Sequence, residues 1–181
     1  MNYFIMMQDD RISNAIEPVG VSEVISAEKV VDEQIYKIDK LNLQFPVREK
    51  EVVEYVDFIQ RPVSLLSDKL KQLIEKYVPD IYTKSVVLVD INRVRQDLYW
   101  LVVPPRIKCL SHQSEFHKDG TVKKLVIDEK KVASYKVFKI DGIMEEYTVI
   151  SLDVAESLLR RDFMGIRLKK IEKQSMQKEV I

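Results

Sequence analysis

The chain has 181 residues, of which 46% are hydrophobic and 32% charged, an ordinary globular mixture that excludes a disordered chain. This length suits one domain, which can fold without a metal ion or a disulfide. The chain has 29 basic residues (lysine and arginine) and 29 acidic residues (aspartate and glutamate). It therefore lacks the excess of basic charge that would indicate a nucleic-acid partner.

The start of the chain is apolar but does not have the pattern of a secretion signal or a membrane span. The apolar run YFIMM, at residues 3–7, has no basic segment before it and is too short for either. The single cysteine cannot form an internal disulfide, which suits a reducing compartment. We therefore expect a cytoplasmic protein with no membrane partner.

The first half of the chain predicts one strand and one helix around an irregular region. Residues 3–7 predict a first strand. From Ile12 to about Phe45 the apolar residues follow neither a helix nor a strand period. This region fits short extended pieces that run over a surface, and it fits a poorly ordered arm equally well. Ser67 predicts the N-cap of a helix that ends before Pro79.

The second half predicts strands in succession, then one helix and a last strand. The predicted strands before the helix cover residues 85–91, 98–103, 122–128, 135–141 and 146–151. A helix over 152–163 is followed by Gly165 as a left-handed cap, and the alternating apolar and basic residues of 166–172 predict a half-buried strand. The pairs Asp9-Asp10 and Glu145-Glu146 are interpreted as solvated strand ends.

This order of elements predicts an α+β fold. We expect a single domain over residues 1–172, with 1–56 as its N-terminal part. Its mostly antiparallel or mixed sheet of five or more strands carries two main helices. Residues 173–181 predict a frayed tail.

The segment 98–120 contains the only cysteine and both histidines, which raises the possibility of a zinc site. Cys109, His112 and His117 have the spacing C-x2-H-x4-H, but a structural zinc site needs four ligands. Only a carboxylate such as Glu115 or Asp119 is left as the fourth. The favoured interpretation is a small buried cysteine and two histidines on a polar turn, with no metal or cofactor.

The other catalytic patterns are weak. A nucleophilic Cys109 would need a lowered thiol pKa, but it lies in a short apolar stretch. With four glycines, the chain has no phosphate-binding loop. Asp128, Glu129 and Lys131 follow a predicted strand and could form a metal-dependent nuclease or hydrolase site. A charged turn between two strands has the same pattern and is favoured, so we predict that the protein is not an enzyme.

Several stretches occur in an order that is familiar from one protein family. They are YFIMMQDDRISNA, DFIQRPVSLLSDKLKQL, LYWLVVPPRIKCLSHQSEF, KLVIDEKKV, YKVFKI and VISLDVAESLLRRDFMGIRLKKIE. This series resembles the α+β immunity proteins of bacterial polymorphic toxin systems, in the group catalogued as family eleven. The resemblance is strongest from Asp57 to Glu172. It implies a non-catalytic protein that neutralises a cognate toxin by binding it.

Two groups are candidates for the toxin interface. One is the turn with His112, Phe116 and His117, and the other is the basic cluster around Arg160 and Arg161. Aromatic and arginine side chains are frequent anchors of protein interfaces. The alternatives to toxin binding are the nuclease or hydrolase described above and a structural protein without a toxin partner.

Overall fold

The computed structural model describes residues 1–25 and 35–174, which form mostly short strands and short helices. The helices are α1 (Val21–Val24), α2 (Ile35–Asp39), α3 (Asp68–Tyr77), α4 (Glu129–Val132) and α5 (Leu152–Leu159). The strands are β1 (Tyr3–Gln8), β2 (Leu43–Pro46), β3 (Phe58–Ile59), β4 (Leu65–Ser67), β5 (Tyr82–Asp90), β6 (Arg95–Val103), β7 (Arg106–Ile107), β8 (Glu115–Phe116), β9 (Val122–Lys124), β10 (Val126–Ile127), β11 (Val137–Ile140), β12 (Thr148–Ser151), β13 (Ile166–Lys170) and β14 (Glu172–Lys173).

Most strands belong to two five-stranded sheets. The β1 sheet has the order β13-β1-β12-β11-β7, and the β5 sheet has the order β2-β5-β6-β4-β3. Each sheet contains antiparallel pairs and one parallel pair, β11 with β7 and β2 with β5. The strands β8 and β9, and likewise β10 and β14, form small two-stranded sheets. The predicted α+β fold with mixed sheets is confirmed, although the strands divide between two sheets.

The longest antiparallel pair is β5 with β6, which is in register from Tyr82 opposite Val103 to Asp90 opposite Arg95. Val86 and Leu88 on β5 are buried, whereas Val87 and Val89, which alternate with them, are partly exposed. This alternation differs from the near-continuous burial that the β-branched run predicts, because one face of the strand lies towards solvent. The strand β6 ends where Pro104 begins, as two consecutive prolines require.

The two main helices are α3 and α5. The Ser67 hydroxyl accepts a hydrogen bond from the Leu70 N–H at 3.3 Å, which confirms the predicted N-cap. The helix α5 is shorter than predicted, because it ends at Leu159 and Arg160 is its C-cap. Gly165 therefore is not the cap of this helix. It lies directly before β13 with a φ of +79°, and a Cβ there would lie 2.5 Å from the Cβ of Val56.

Three groups of buried apolar side chains form the core. One lies on the β5 sheet, one between α3, α5 and parts of both sheets, and one on the other face of the β1 sheet. Ala15, Ile16 and Ile25 are buried in the first group. The described part of residues 12–45 therefore packs its apolar side chains against the β5 sheet. Their burial depends on distant strands, which the local pattern does not reveal.

Some predictions fall on residues 26–34 and 175–181, which lie outside the described residues. These are part of the irregular region and most of the predicted tail. Lys173 lies in β14, and the Gln174 N–H donates to the Ile127 carbonyl at 3.0 Å. The division into a domain over 1–172 and a frayed tail stays a prediction.

Candidate functional site

Cys109 is a core residue. It is 0% exposed and packs with the group that contains Ile127 and Phe138. Burial raises the pKa of its thiol to about 11, the opposite of what a nucleophilic cysteine needs. The interpretation of Cys109 as a small buried hydrophobic residue is confirmed.

The two histidines lie apart from that core, at the surface. His112 and His117 are both exposed, and His117 belongs to the turn between β8 and β9. The carboxylates considered as fourth ligands have partners nearby: Glu115 pairs with Lys123, and Asp119 accepts from Thr121. Within residues 1–25 and 35–174, no group of three or more His, Cys, Asp or Glu side chains is arranged to hold a metal ion.

The acidic run after β10 has contacts that belong to the architecture. The Asp128 carboxylate accepts from the Lys130 N–H at 3.1 Å and so caps α4. Glu129 forms ion pairs with Lys173, at 2.9 Å, and with the amino group of Met1. The Lys131 ammonium lies 3.9 Å from the nearest Asp128 oxygen, and its side chain is 53% exposed. Asp128 therefore caps a helix and Glu129 joins chain segments, whereas Lys131 has only this loose contact.

Glu146 is not the solvated strand end that its sequence context suggests. Its carboxylate accepts from Arg106 at 2.6 Å and from Lys139 at 2.7 Å, and the Lys139 side chain is only 8% exposed. Burial would raise the pKa of Glu146, but these two hydrogen bonds outweigh it and the pKa is lowered. Because Arg106 lies on β7 and Lys139 on β11, only the parallel pairing of these strands brings the three groups together.

Asp9 also differs from the solvated strand end that was predicted, since it is only 8% exposed. Its carboxylate accepts from the Arg11 guanidinium at 2.9 and 2.7 Å. These hydrogen bonds hold the pKa of Asp9 at about 2. The Asp9 N–H donates to the Gly165 carbonyl at 2.9 Å, which ties this end of β1 to the start of β13.

An open cleft lies between α5 and β13 and has a volume of about 530 Å³. We call it the α5–β13 groove. Its apolar residues are Phe4, Leu152, Ala155, Leu158, Leu159, Phe163, Ile166 and Leu168. Its polar residues are Arg11, Glu156, Arg161 and Arg167. The groove thus combines an apolar floor with a mostly basic rim.

The register of β13 explains the apolar floor. Leu168 lies opposite Met6 and Ile166 opposite Gln8, so both side chains extend on the face of the β1 sheet that α5 covers. The helix does not cover this face completely, because Ile166 and Leu168 remain partly exposed. At the end of α5, Leu159 is 76% exposed. An apolar surface is therefore accessible beside the last turn of α5.

The arginines of the rim have different partners. Arg11 pairs with Asp9, and Arg167 pairs with Asp10 at 2.6 Å. The Arg161 guanidinium donates to the Ser157 carbonyl at 2.7 Å and forms no ion pair with the described residues. Its charge is thus available to an incoming acidic group.

The loop between α5 and β13 is held by a buried carboxylate. Asp57, which is 3% exposed, accepts from the Met164 N–H at 2.6 Å, and its own N–H donates to the Met164 carbonyl at 2.8 Å. It also accepts from the Ser67 hydroxyl at 2.6 Å and pairs with Lys69 at 3.1 Å. The Lys69 ammonium lies 5.3 Å from the centre of the Phe163 ring. The loop that carries Phe163 is therefore fixed against α3.

The predicted partner-binding residues lie in two places. Arg161 lines the groove, and Arg160 lies beside it with a 77% exposed side chain that is 3.5 Å from Glu156. Phe116, on the β8–β9 hairpin, is 43% exposed between the two exposed histidines. None of the groove residues comes from this hairpin. The two predicted groups therefore belong to separate surfaces.

Sequence reasoning missed the apolar part of the groove. Leu159 and Phe163 were assigned to one long amphipathic helix, and Ile166 and Leu168 to a half-buried strand. The available signal was the alternation of apolar and basic residues in β13, which is typical of a strand at the edge of a sheet. The pattern gives no measure of how far α5 covers that strand.

Comparison with known proteins adds no assignment, because the chain matches no protein-family model and no curated protein. Among the described residues, no helix is long and apolar enough to cross a lipid bilayer. The resemblance to immunity proteins stays a prediction.

Proposed function

We propose that this protein is a non-catalytic binding protein of the immunity type, which neutralises a cognate bacterial toxin in the cytoplasm by direct contact. The α5–β13 groove is the surface through which it binds. The resemblance to family-eleven immunity proteins supplies the class of partner. The geometry of the groove supports its choice as the binding surface.

The observation that carries the proposal is the open apolar floor of the groove beside unpaired basic charge. A single exposed apolar residue is ordinary, but a continuous apolar cleft with a polar rim is typical of a binding site. Here Leu159 is exposed next to the partly exposed Phe163, and Arg161 stands at the rim without an ion pair among the described residues. The groove would accept an apolar anchor and a neighbouring carboxylate.

The size of the groove suits the centre of an interface. A stable protein complex buries about 800 Å² on each partner, and a few central residues contribute most of the binding energy. Arginine and aromatic side chains are enriched among those residues. Arg161 and Phe163 meet this description, and Arg160 extends the basic rim beyond the groove.

The test is co-expression with the toxin domain encoded next to the gene of this chain. Wild type restores growth if the proposal is right. Leu159→Asp places a charge on the apolar floor, and we expect it to lower the affinity by about tenfold or more and to abolish protection. Ile91→Asp is the matched control, because Ile91 is 73% exposed on a turn of the β5 sheet, and it should protect like wild type.

A third variant tests the other predicted surface. Phe116→Asp changes the β8–β9 hairpin, and protection should remain if the groove is the interface. Loss of protection in Phe116→Asp alone would move the interface to the hairpin. Failure of wild type to restore growth would reject the immunity function itself.

A further inference from the structure

The strand β13 is an edge strand with a free backbone side. Among residues 1–25 and 35–174 it pairs with β1 alone, and it ends the order of the β1 sheet. The Asp9 N–H donates to the Gly165 carbonyl, and the Ile171 N–H donates to the Tyr3 carbonyl. Because hydrogen-bonded residues alternate along an antiparallel pair, Arg167 and Lys169 also bond to β1. Ile166, Leu168 and Lys170 therefore direct their N–H and carbonyl groups away from the sheet.

No backbone hydrogen bond among residues 1–25 and 35–174 reaches these outward groups. The two faces of the strand have different chemistry. Ile166 and Leu168 extend on the groove face, next to Leu159 and Phe163. Arg167 and Lys169 alternate with these residues, so their side chains start on the opposite face, and both are exposed; Arg167 also borders the rim of the groove.

We infer that the partner binds by adding an extended segment to β13, with apolar and acidic side chains in alternation. The inference rests on the proposed function and specifies the chemistry of the partner at the groove. The apolar side chains of the added strand would enter the groove beside Leu168. The acidic side chains would lie on the other face, opposite Arg167 and Lys169. Addition of a strand to an exposed edge is a common mode of peptide recognition.

We infer an acidic partner because carboxylates would complement the basic side chains of Arg167 and Lys169. Lys169 forms no ion pair with the described residues, and Arg167 is held only by Asp10, whose side chain is 79% exposed. A carboxylate on a neighbouring strand would lie directly opposite these cations, where cross-strand pairs of opposite charge are stabilising. An added basic or wholly apolar strand would leave the Lys169 charge uncompensated and would add no second partner to Arg167.

The same charges disfavour a second copy of this chain as the occupant. Two antiparallel β13 strands centred on Leu168 would place Arg167 of one opposite Lys169 of the other. Like charges in directly opposed positions destabilise a strand pair. Basic residues on edge strands commonly prevent such self-association.

The test uses a random display library of peptides long enough to span β13, selected on the intact chain. We expect the enriched peptides to alternate acidic and apolar residues. Leu168→Pro removes one outward N–H without removing a bond to β1, since proline is tolerated at such edge positions. It should weaken the enriched peptides by about tenfold or more. Leu168→Ala keeps the N–H and controls for the lost side chain, so it should weaken them less.

A second arm tests the charges. The double variant Arg167→Glu with Lys169→Glu should lose about tenfold or more in affinity for the acidic peptides. It should also select peptides that carry lysine or arginine at the alternating positions. Enriched peptides without acidic residues, or affinities that both substitutions leave unchanged, would overturn the inference.

The outcomes separate this inference from the proposed function. If Leu159→Asp abolishes binding but Leu168→Pro and the charge variant bind like wild type, the groove is the site and strand addition is rejected. If the chain forms dimers that Leu168→Pro dissociates, the occupant is a second copy and the inference is rejected. Failure to protect cells from the toxin would instead reject the immunity function.

Discussion

The edge strands β2 and β13, one from each five-stranded sheet, differ in how far their outer backbone groups are hydrogen-bonded. The outer side of β2 is covered at its C-terminal end by its own chain: the Val19 N–H donates to the Pro46 carbonyl at 2.9 Å, and just beyond the strand the Arg48 N–H donates to the Glu17 carbonyl at 2.8 Å. Pro46 also offers no N–H. The outer side of β13 has no such cover among the described residues, and basic side chains flank it. Backbone covers the end of one edge strand, whereas none of the described backbone covers the other, which is why we assign binding to β13.

A left-handed glycine stands near each edge. Gly20 follows the segment that covers β2, Gly165 precedes β13, and both have a φ of +79°. A Cβ on Gly20 would meet nothing within 4 Å, whereas on Gly165 it would collide with Val56. The backbone just before β13 is therefore tightly packed at Gly165, whereas Gly20 has space for a side chain.

The largest expected effect comes from Gly165→Ala. A left-handed φ costs a residue with a Cβ about 1–2 kcal/mol, and the collision adds a similar amount, so we expect a loss of about 3 kcal/mol of unfolding free energy. Gly20→Ala carries the same φ without the collision and should lose about 1 kcal/mol. Urea denaturation measures both. Equal losses would show that the packing of Gly165 against Val56 is unimportant.

The next effect tests how the loop before β13 is held. Asp57→Ala leaves the Met164 N–H and the Ser67 hydroxyl without their acceptor, which should cost about 2 kcal/mol of unfolding free energy. Asp162→Ala changes an exposed carboxylate of the same loop and should cost less than about 0.5 kcal/mol. Thermal and urea unfolding of the two variants checks the difference. A small loss for Asp57→Ala would mean that the loop is fixed by other contacts.

A third prediction removes the charges that protect the open edge. The double variant Arg167→Val with Lys169→Val should self-associate, because a regular edge strand without charge pairs readily with another copy. Gln44→Val is the control on β2, an exposed position on the covered edge. Light scattering should show a rise in mass for the double variant alone. A rise for both variants would mean that the cover over β2 does not block pairing.

The smallest effect is on the pH dependence of stability. The folded-state pKa of Asp9 is about 2, below the ordinary value of 3.8. Its stabilising contribution is therefore present above pH 3.8 and is lost as the pH falls towards 2. The unfolding free energy of Asp9→Asn should fall less steeply over this interval than that of wild type. Equal slopes would show that the contact with Arg11 does not contribute.

Local signals made part of this fold predictable. The N-cap at Ser67 and the prolines after β6 act on their neighbours in the chain, so the sequence reveals them. The roles of Asp9, Glu146 and Gly165 depend on residues far along the chain. Gly165, for example, is required because Val56 lies against it.

The candidate site was predictable only in its charges. Arg160 and Arg161 were expected as a basic cluster, and they lie in and beside the groove. The apolar floor depends on where α5 ends and how much of β13 it leaves open. Neither is set by periodicity, since the pattern of residues 152–163 fits a longer helix. The exposure of Leu159 therefore could not be predicted from the sequence and is seen only in the structure.

The most direct measurement is amide hydrogen exchange of this chain, free and bound to the toxin domain encoded beside its gene. On binding, the outward amides of Ile166, Leu168 and Lys170 should slow by about tenfold or more, because they gain hydrogen-bond acceptors. The amides of Arg167 and Lys169, already bonded to β1, should change little. Slowing confined to residues 112–117, with β13 unchanged, would contradict the account.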